Sequence, residues 1–173
     1  MSFIARLFGT RADPLKDGLR PLWHRVVEIA REKEWYRDCG VADTVSGRFD
    51  AVTLILSIVL LRMEREAELI APSVRLTELF VDDMDGQLRE SGVGDVVVGK
   101  HIGKLMGTLG GRLGAYREAL ESGGEQAMAE AVGRNVTLVE GADALRVAQR
   151  ARAFAAGLAL VPAHRVLAAE IGQ

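Results

Sequence analysis

Apolar residues recur along this chain at three- and four-residue steps, and no stretch sustains the strict alternation of a half-buried strand. Helices are therefore predicted almost throughout. After Pro14, the residues Leu15, Leu19, Leu22, Trp23, Val26 and Ala30 share one face of a first helix. Pro21 lies inside that pattern. A proline removes one backbone donor and fits best in a first turn, so the regular helix either kinks or begins close to Pro21. Residues 39–48 are rich in turn formers and predict a connection. A second helix is expected over about residues 49–68. Its first half is apolar on nearly every side, through Leu54, Ile55, Leu56, Ile58, Val59, Leu60 and Leu61, as in a central helix wrapped by others.

Pro72 and Ser73 restart the chain, and Leu76, Leu79, Phe80, Met84 and Leu88 give a third helix that ends at the turn from Gly92 to Gly94. Asp95 is placed to cap a fourth, whose stripe is the cleanest of all: Val98, Ile102, Leu105, Met106, Leu109, Leu113, Tyr116 and Leu120. Ser122, Gly123 and Gly124 end it. A short helix over residues 125–134 and a longer one over 142–161, carrying Leu145, Ala148, Phe154 and Leu158, complete a set of about six. The expected fold class is all-α: a short N-terminal segment, residues 1–14, then a single compact multi-helix domain, residues 15–173.

Composition narrows the function. With 173 residues, 49% apolar and 27% charged, the chain suits one globular domain with one core. The mostly apolar run over residues 51–61 falls well short of the roughly 20 residues that span a bilayer, which makes it a buried helix. A net charge of -2 gives no overall attraction for nucleic acid or anionic lipid, so no specific nucleic-acid partner is expected. Cys39 is alone, so no internal disulfide forms, and no export signal precedes the first helix. A cytoplasmic location is expected. In residues 1–14, Phe3, Ile4, Leu7 and Phe8 share a helical face while Arg6 and Arg11 add positive charge. Such a segment either docks on the core or rests peripherally on the inner face of the cytoplasmic membrane.

Catalytic chemistry is not indicated. His24, His101 and His164 are scattered singly, Cys39 has no histidine or cysteine beside it, and no metal or cofactor is expected. Gly92-Val93-Gly94-Asp95 lacks the lysine and hydroxyl of a phosphate-binding loop and follows a helix instead of a strand. The acids Asp82, Asp83 and Asp85 have no calcium-loop pattern after them, and either form a solvated helix face or recognise a partner.

The text from Phe80 through Val81-Asp82-Asp83-Met84-Asp85-Gly86-Gln87-Leu88-Arg89-Glu90-Ser91-Gly92-Val93-Gly94 to Asp95, continuing into Val98-Gly99-Lys100, closely resembles the hallmark of the ubiquinol-cytochrome c chaperone family. Residues 40–50, with Asp43-Thr44 and Gly47-Arg48-Phe49-Asp50, resemble a second family block. Gly111-Arg112 with Ala115-Tyr116 resembles a third, and Arg134-Asn135-Val136 the last, so the likeness covers about residues 35–138. Departures from the pattern are Ile55 for a frequent histidine, Ser91 for a methionine, His101 and Gly103 in a thinner basic run, and Thr137 for an aromatic. The resemblance implies an α-helical, non-catalytic assembly factor for cytochrome b in respiratory complex III. Mitochondrial relatives act with a small partner protein at the ribosome, and the short N-terminus is similar to that of a bacterial member.

On this reading, Asp82, Asp83, Asp85, Arg89 and Glu90 are expected to form a charged partner-binding surface. The fourth helix supplies a second candidate. Gly103, Gly107, Gly110, Gly111 and Gly114 fall in one sector at about 100° per residue, away from the apolar stripe. Bordered by Lys100 and Lys104, this face is expected to receive a client or partner helix, with Gly107 and Gly111 among its partner-binding residues. The alternatives are that one of the chain's own helices fills it, or that the helix breaks near Gly110. Competing functions are a structural or regulatory subunit of a stable complex, and an enzyme acting on a quinone-like molecule, which needs a closed apolar pocket.

Overall fold

Nine helices follow one another in the computed structural model, which describes residues 13–90 and 95–172. They are α1 (Pro14–Gly18), α2 (Arg20–Ala30), α3 (Lys33–Arg37), α4 (Val45–Met63), α5 (Ala67–Glu90), α6 (Asp95–Glu121), α7 (Glu125–Asn135), α8 (Ala144–Ala159) and α9 (Ala163–Leu167). Three of them, α1, α3 and α9, are single short turns, which leaves the six substantial helices of the expected all-α fold. The described residues contain no strand, only an isolated bridge between Val41 and Leu138.

Pro21 is resolved as the start of α2 and not a kink, and Asp13 caps the separate turn α1 by accepting from the Leu15 and Lys16 amides. The second break in the chain falls elsewhere than the prolines predict. α4 begins at Val45, because Thr44 accepts a hydrogen bond from the Gly47 amide and so caps the helix four residues ahead of Phe49. Gly47 belongs to that first turn: a Cβ there would lie 2.0 Å from the Ala42 carbonyl oxygen, so only glycine lets the incoming loop pass. At the other end α4 stops at Met63, where the amides of Arg65 and Glu66 turn back to the carbonyls of Arg62 and Met63. Pro72 therefore sits inside α5. The carbonyl it leaves unpaired is that of Glu68, in an exposed first turn that water can serve. The turn at residues 91–94 lies outside the described residues, as does residue 95's side-chain cap.

α4 is the centre of the core. Every residue from Asp50 to Met63 is buried, and α2, α5, α6 and α8 pack around it. Each fully buried leucine, isoleucine or valine contributes about 1.5–3 kcal/mol. Leu15 and Met106, assigned to buried stripes by periodicity, are exposed at the edges of their faces. α6 runs unbroken through Gly110.

Polar groups on α4 are matched one by one. The Asp50 carboxylate accepts from Arg112 of α6 at 2.6 Å, from the Thr137 amide at 2.8 Å and from the Thr137 hydroxyl at 2.6 Å. Arg112 also donates to the Thr53 hydroxyl and lies over the Phe49 ring, 5.3 Å from its centre. With side chains 11% and 8% exposed, Arg112 and Asp50 form a buried ion pair. At the far end Arg62 donates to the carbonyls of Leu158, in the last turn of α8, and Val161, just past it. Next to the first pair lies Tyr116, fully buried, with no hydrogen-bond partner for its hydroxyl among the described residues. Burial pushes its pKa well above the ordinary 10.0, opposed by Arg112 and assisted by Asp50.

Two outcomes follow. Asp50→Ala strands the Arg112 guanidinium in the core and is expected to cost about 3–5 kcal/mol in urea denaturation, without loss of helical content in the remaining folded fraction. Tyr116→Phe acts through pH. The folded state holds the phenol protonated while the unfolded chain ionises near its ordinary value, so the stability present below pH 10 falls as pH rises beyond it. The phenylalanine variant is expected to lose less stability than the parent between pH 10 and 12, and to be no less stable at pH 7.

Candidate functional site

A groove of about 890 Å³ opens where α2, α4, α5, α6 and the loop after α7 meet. Its floor is apolar, made by Trp23, Val27, Phe49, Val52, Met84 and Leu105. Trp23 is edge-on to Phe80 at 5.9 Å, and Phe80 lies 6.4 Å from Phe49, so the floor is backed by an aromatic cluster. Its walls are polar and mainly cationic: Arg31, Arg48, Lys104, Arg112 and Arg134, against Asp50 and Asp83.

Local structure explains how these side chains come together. The cap at Thr44 and the glycine at 47 start α4 where Arg48, Phe49 and Asp50 occupy its first two turns. Asp50 then draws in Arg112 from α6 and Thr137 from the loop, while Asn135 ends α7 by donating to the Ala131 carbonyl. The blocks that carry the family resemblance, far apart in sequence, thus meet at one place. Arg48 is paired with Asp43 at 2.7 Å, and its hydrogen bond holds that exposed carboxyl below the ordinary range. Arg31, Lys104 and Arg134 are exposed and make no side-chain hydrogen bond or ion pair among the described residues.

The residues expected to bind a partner divide among several surroundings. Asp83 and Lys104 line the groove. Asp82 turns to the other side of α5, where Lys16 of α1 lies 2.6 Å away, and so is partly neutralised. Asp85 is half-buried, and Glu90 is the exposed last residue of α5. The side chains of Arg89 and Lys100 lie outside the described residues, as does the amphipathic segment, residues 1–12. A Cβ added at Gly103, Gly107, Gly110, Gly111 or Gly114 would meet nothing within 4 Å, so none of the described helices fills that face. Beside it stand Met106 of α6 and, on α5, Val74, Thr77 and Val81, which line a smaller apolar hollow of about 330 Å³ with Lys16, Glu78 and Asp82. Ile70 and Val74 are both about half exposed on the same helix.

Sequence reasoning did not single out Arg31, Arg48, Asp50, Arg112 or Arg134 as site residues. For the last four a signal was present, since each belongs to a block quoted for the resemblance; Arg31 carries none. No group of three or more histidine, cysteine, aspartate or glutamate side chains among the described residues is arranged to hold a metal. Cys39 is buried, and burial raises its thiol pKa, which keeps it protonated and a poor nucleophile at neutral pH.

Comparison with known proteins agrees with this architecture. No curated protein matches the chain. Among solved structures, that of the Cbp3 homolog from Brucella abortus is similar with a TM-score of 0.80 and 30% sequence identity, covering 98% of this chain and 95% of that one. The model of the family described as ubiquinol-cytochrome C chaperone matches residues 37–172, and the chain belongs to that family.

Proposed function

We propose that this protein is a chaperone for cytochrome b that assists assembly of respiratory complex III and performs no catalysis. The observation that carries the reading is family membership over residues 37–172, joined to a fold shared along almost the whole chain with the Cbp3 homolog. The groove adds support against an enzyme acting on a quinone-like molecule. It is open to solvent and rimmed with cations, unlike the closed apolar pocket that such a substrate needs.

The client seat in this proposal is the outer face of α5 and α6. A newly inserted membrane protein presents apolar helices, and two features here suit one. Ile70, Val74 and Met106 expose apolar surface, and the adjacent glycine face, which includes Gly107 and Gly111, lets another backbone approach closely. Lys104 and the acids Asp82, Asp85 and Glu90, with Arg89 and Lys100, would flank that helix. The reading extends to peripheral contact with the inner face of the cytoplasmic membrane through residues 1–14, and to the ribosome or a small partner protein as co-workers. No helix among the described residues is long and apolar enough to cross a membrane.

Gly107 and Gly111 separate a folding role from a docking role. Because neither glycine is crowded, Gly107→Ala and Gly111→Ala are each expected to raise stability by about 1 kcal/mol, read by thermal or urea denaturation. The Gly107→Leu/Gly111→Leu variant is expected to fold as a monodisperse protein, yet to co-purify much less newly made cytochrome b from cells, with complex III lowered in step. Parental capture by that variant would overturn the α5–α6 seat. Normal complex III in cells lacking the protein would overturn the function itself.

A further inference from the structure

We infer that the groove is a second binding site, sharing only Lys104 at its border with the α5–α6 face, and that it takes an acidic segment of a partner protein bearing one or two large apolar side chains. The argument begins with charge. The chain as a whole carries a net charge of -2, yet the described groove lining holds five cations against two carboxylates. Two of those cations are already matched, Arg48 by Asp43 and Arg112 by Asp50. Arg31, Lys104 and Arg134 are not, and they come from three separate elements, the end of α2, α6 and the end of α7. Folding gains nothing from gathering unpaired cations around one concavity, since like charges repel across it. A ligand that brings carboxylates relieves that repulsion.

The shape decides the class of ligand. An apolar floor of Trp23, Phe49, Met84 and Leu105 recessed between helices calls for side chains that reach in, which a flat bilayer surface cannot supply. An all-apolar helix would fill the floor but would strip water from the rim cations without replacing it. Single-stranded nucleic acid also brings negative charge and can stack bases on aromatic rings, and an oligonucleotide is therefore an arm of the test. A peptide with a leucine or phenylalanine anchor and flanking glutamates satisfies both rim and floor. Charge complementarity of this sort chiefly sets specificity and association rate.

The test uses the full chain and a synthetic sixteen-residue peptide with a Leu-Phe anchor and six glutamates, labelled with an uncharged dye, followed by fluorescence anisotropy. Its counterpart carries glutamine at the six positions. The glutamate peptide is expected to bind at least tenfold tighter at low salt, with the advantage shrinking as salt is added. Single Arg31→Ala, Lys104→Ala and Arg134→Ala variants are each expected to weaken it by about twofold to fivefold, as partly exposed ion pairs do, and the triple variant by tenfold or more at unchanged melting temperature. Equal binding of the two peptides, or an unaffected triple variant, overturns the inference. Binding instead to phosphatidylglycerol vesicles or to a single-stranded oligonucleotide, lost in the triple variant, also overturns it and assigns the rim to that ligand. Because no client is present in this assay, its outcome is separate from that of the α5–α6 seat.

Discussion

Burying α4 on all sides supplies the driving force of this fold, but apolar contact alone leaves a helix free to slide or rotate by a turn within its sheath. The buried charges remove that freedom. Asp50 near the start of α4 accepts three hydrogen bonds from α6 and the loop after α7, and Arg62 near its end donates to two carbonyls at the end of α8. Each costs several kcal/mol if left unpaired, so only one axial position of α4 satisfies both. The other polar residues between them cause no conflict, because the Thr53 and Ser57 hydroxyls donate back to carbonyls of their own helix.

Fixing α4 in this way also builds the groove. The pair that anchors the helix draws Arg112 inward from α6 and holds Thr137 against Asp50, so α6 and the end of α7 are set at a spacing from α2 that leaves a cleft. Arg112 is used up in the core. Lys104, two turns earlier on α6, has no such partner among the described residues and stays at the rim. One ion pair therefore decides both which charges serve folding and which face outward.

Much of this was legible in the sequence because helical periodicity survives on every long element. The six substantial helices, the buried character of the run from residue 51 to 61 and the stop of α6 just before Ser122, Gly123 and Gly124 all follow from local pattern. What did not follow depended on tertiary partners. The start of α4 at Val45 hinges on Thr44 and Gly47, whose role is clear only once the loop carrying Ala42 is seen to cross the helix. Pro72 marks a break in the sequence pattern, yet the chain breaks at Glu64 to Glu66, since an unpaired carbonyl in an exposed first turn costs little. The groove was invisible for the same reason: Arg31, Lys104 and Arg134 are lone charges in three distant segments, and nothing local marks them as neighbours.

The glycines of α6 complete the physical argument. Each interior glycine costs a helix roughly 1 kcal/mol relative to alanine, so five of them forgo about 5 kcal/mol, a sum comparable with the whole net stability of many domains. In a membrane or a tight helix pair, close backbone contact offsets such a loss. Here a Cβ at any of the five would enter open space, so the described fold returns nothing for it. The opposite face of α6 behaves as expected of a core helix, with Leu109 and Tyr116 buried and Leu105 and Leu113 half-buried. That face, together with the heavily buried α4, lets the helix persist despite its bare side. Under the proposed function, that cost is the counterpart of a client helix docking on this face, in a chain whose core is strong enough to tolerate it.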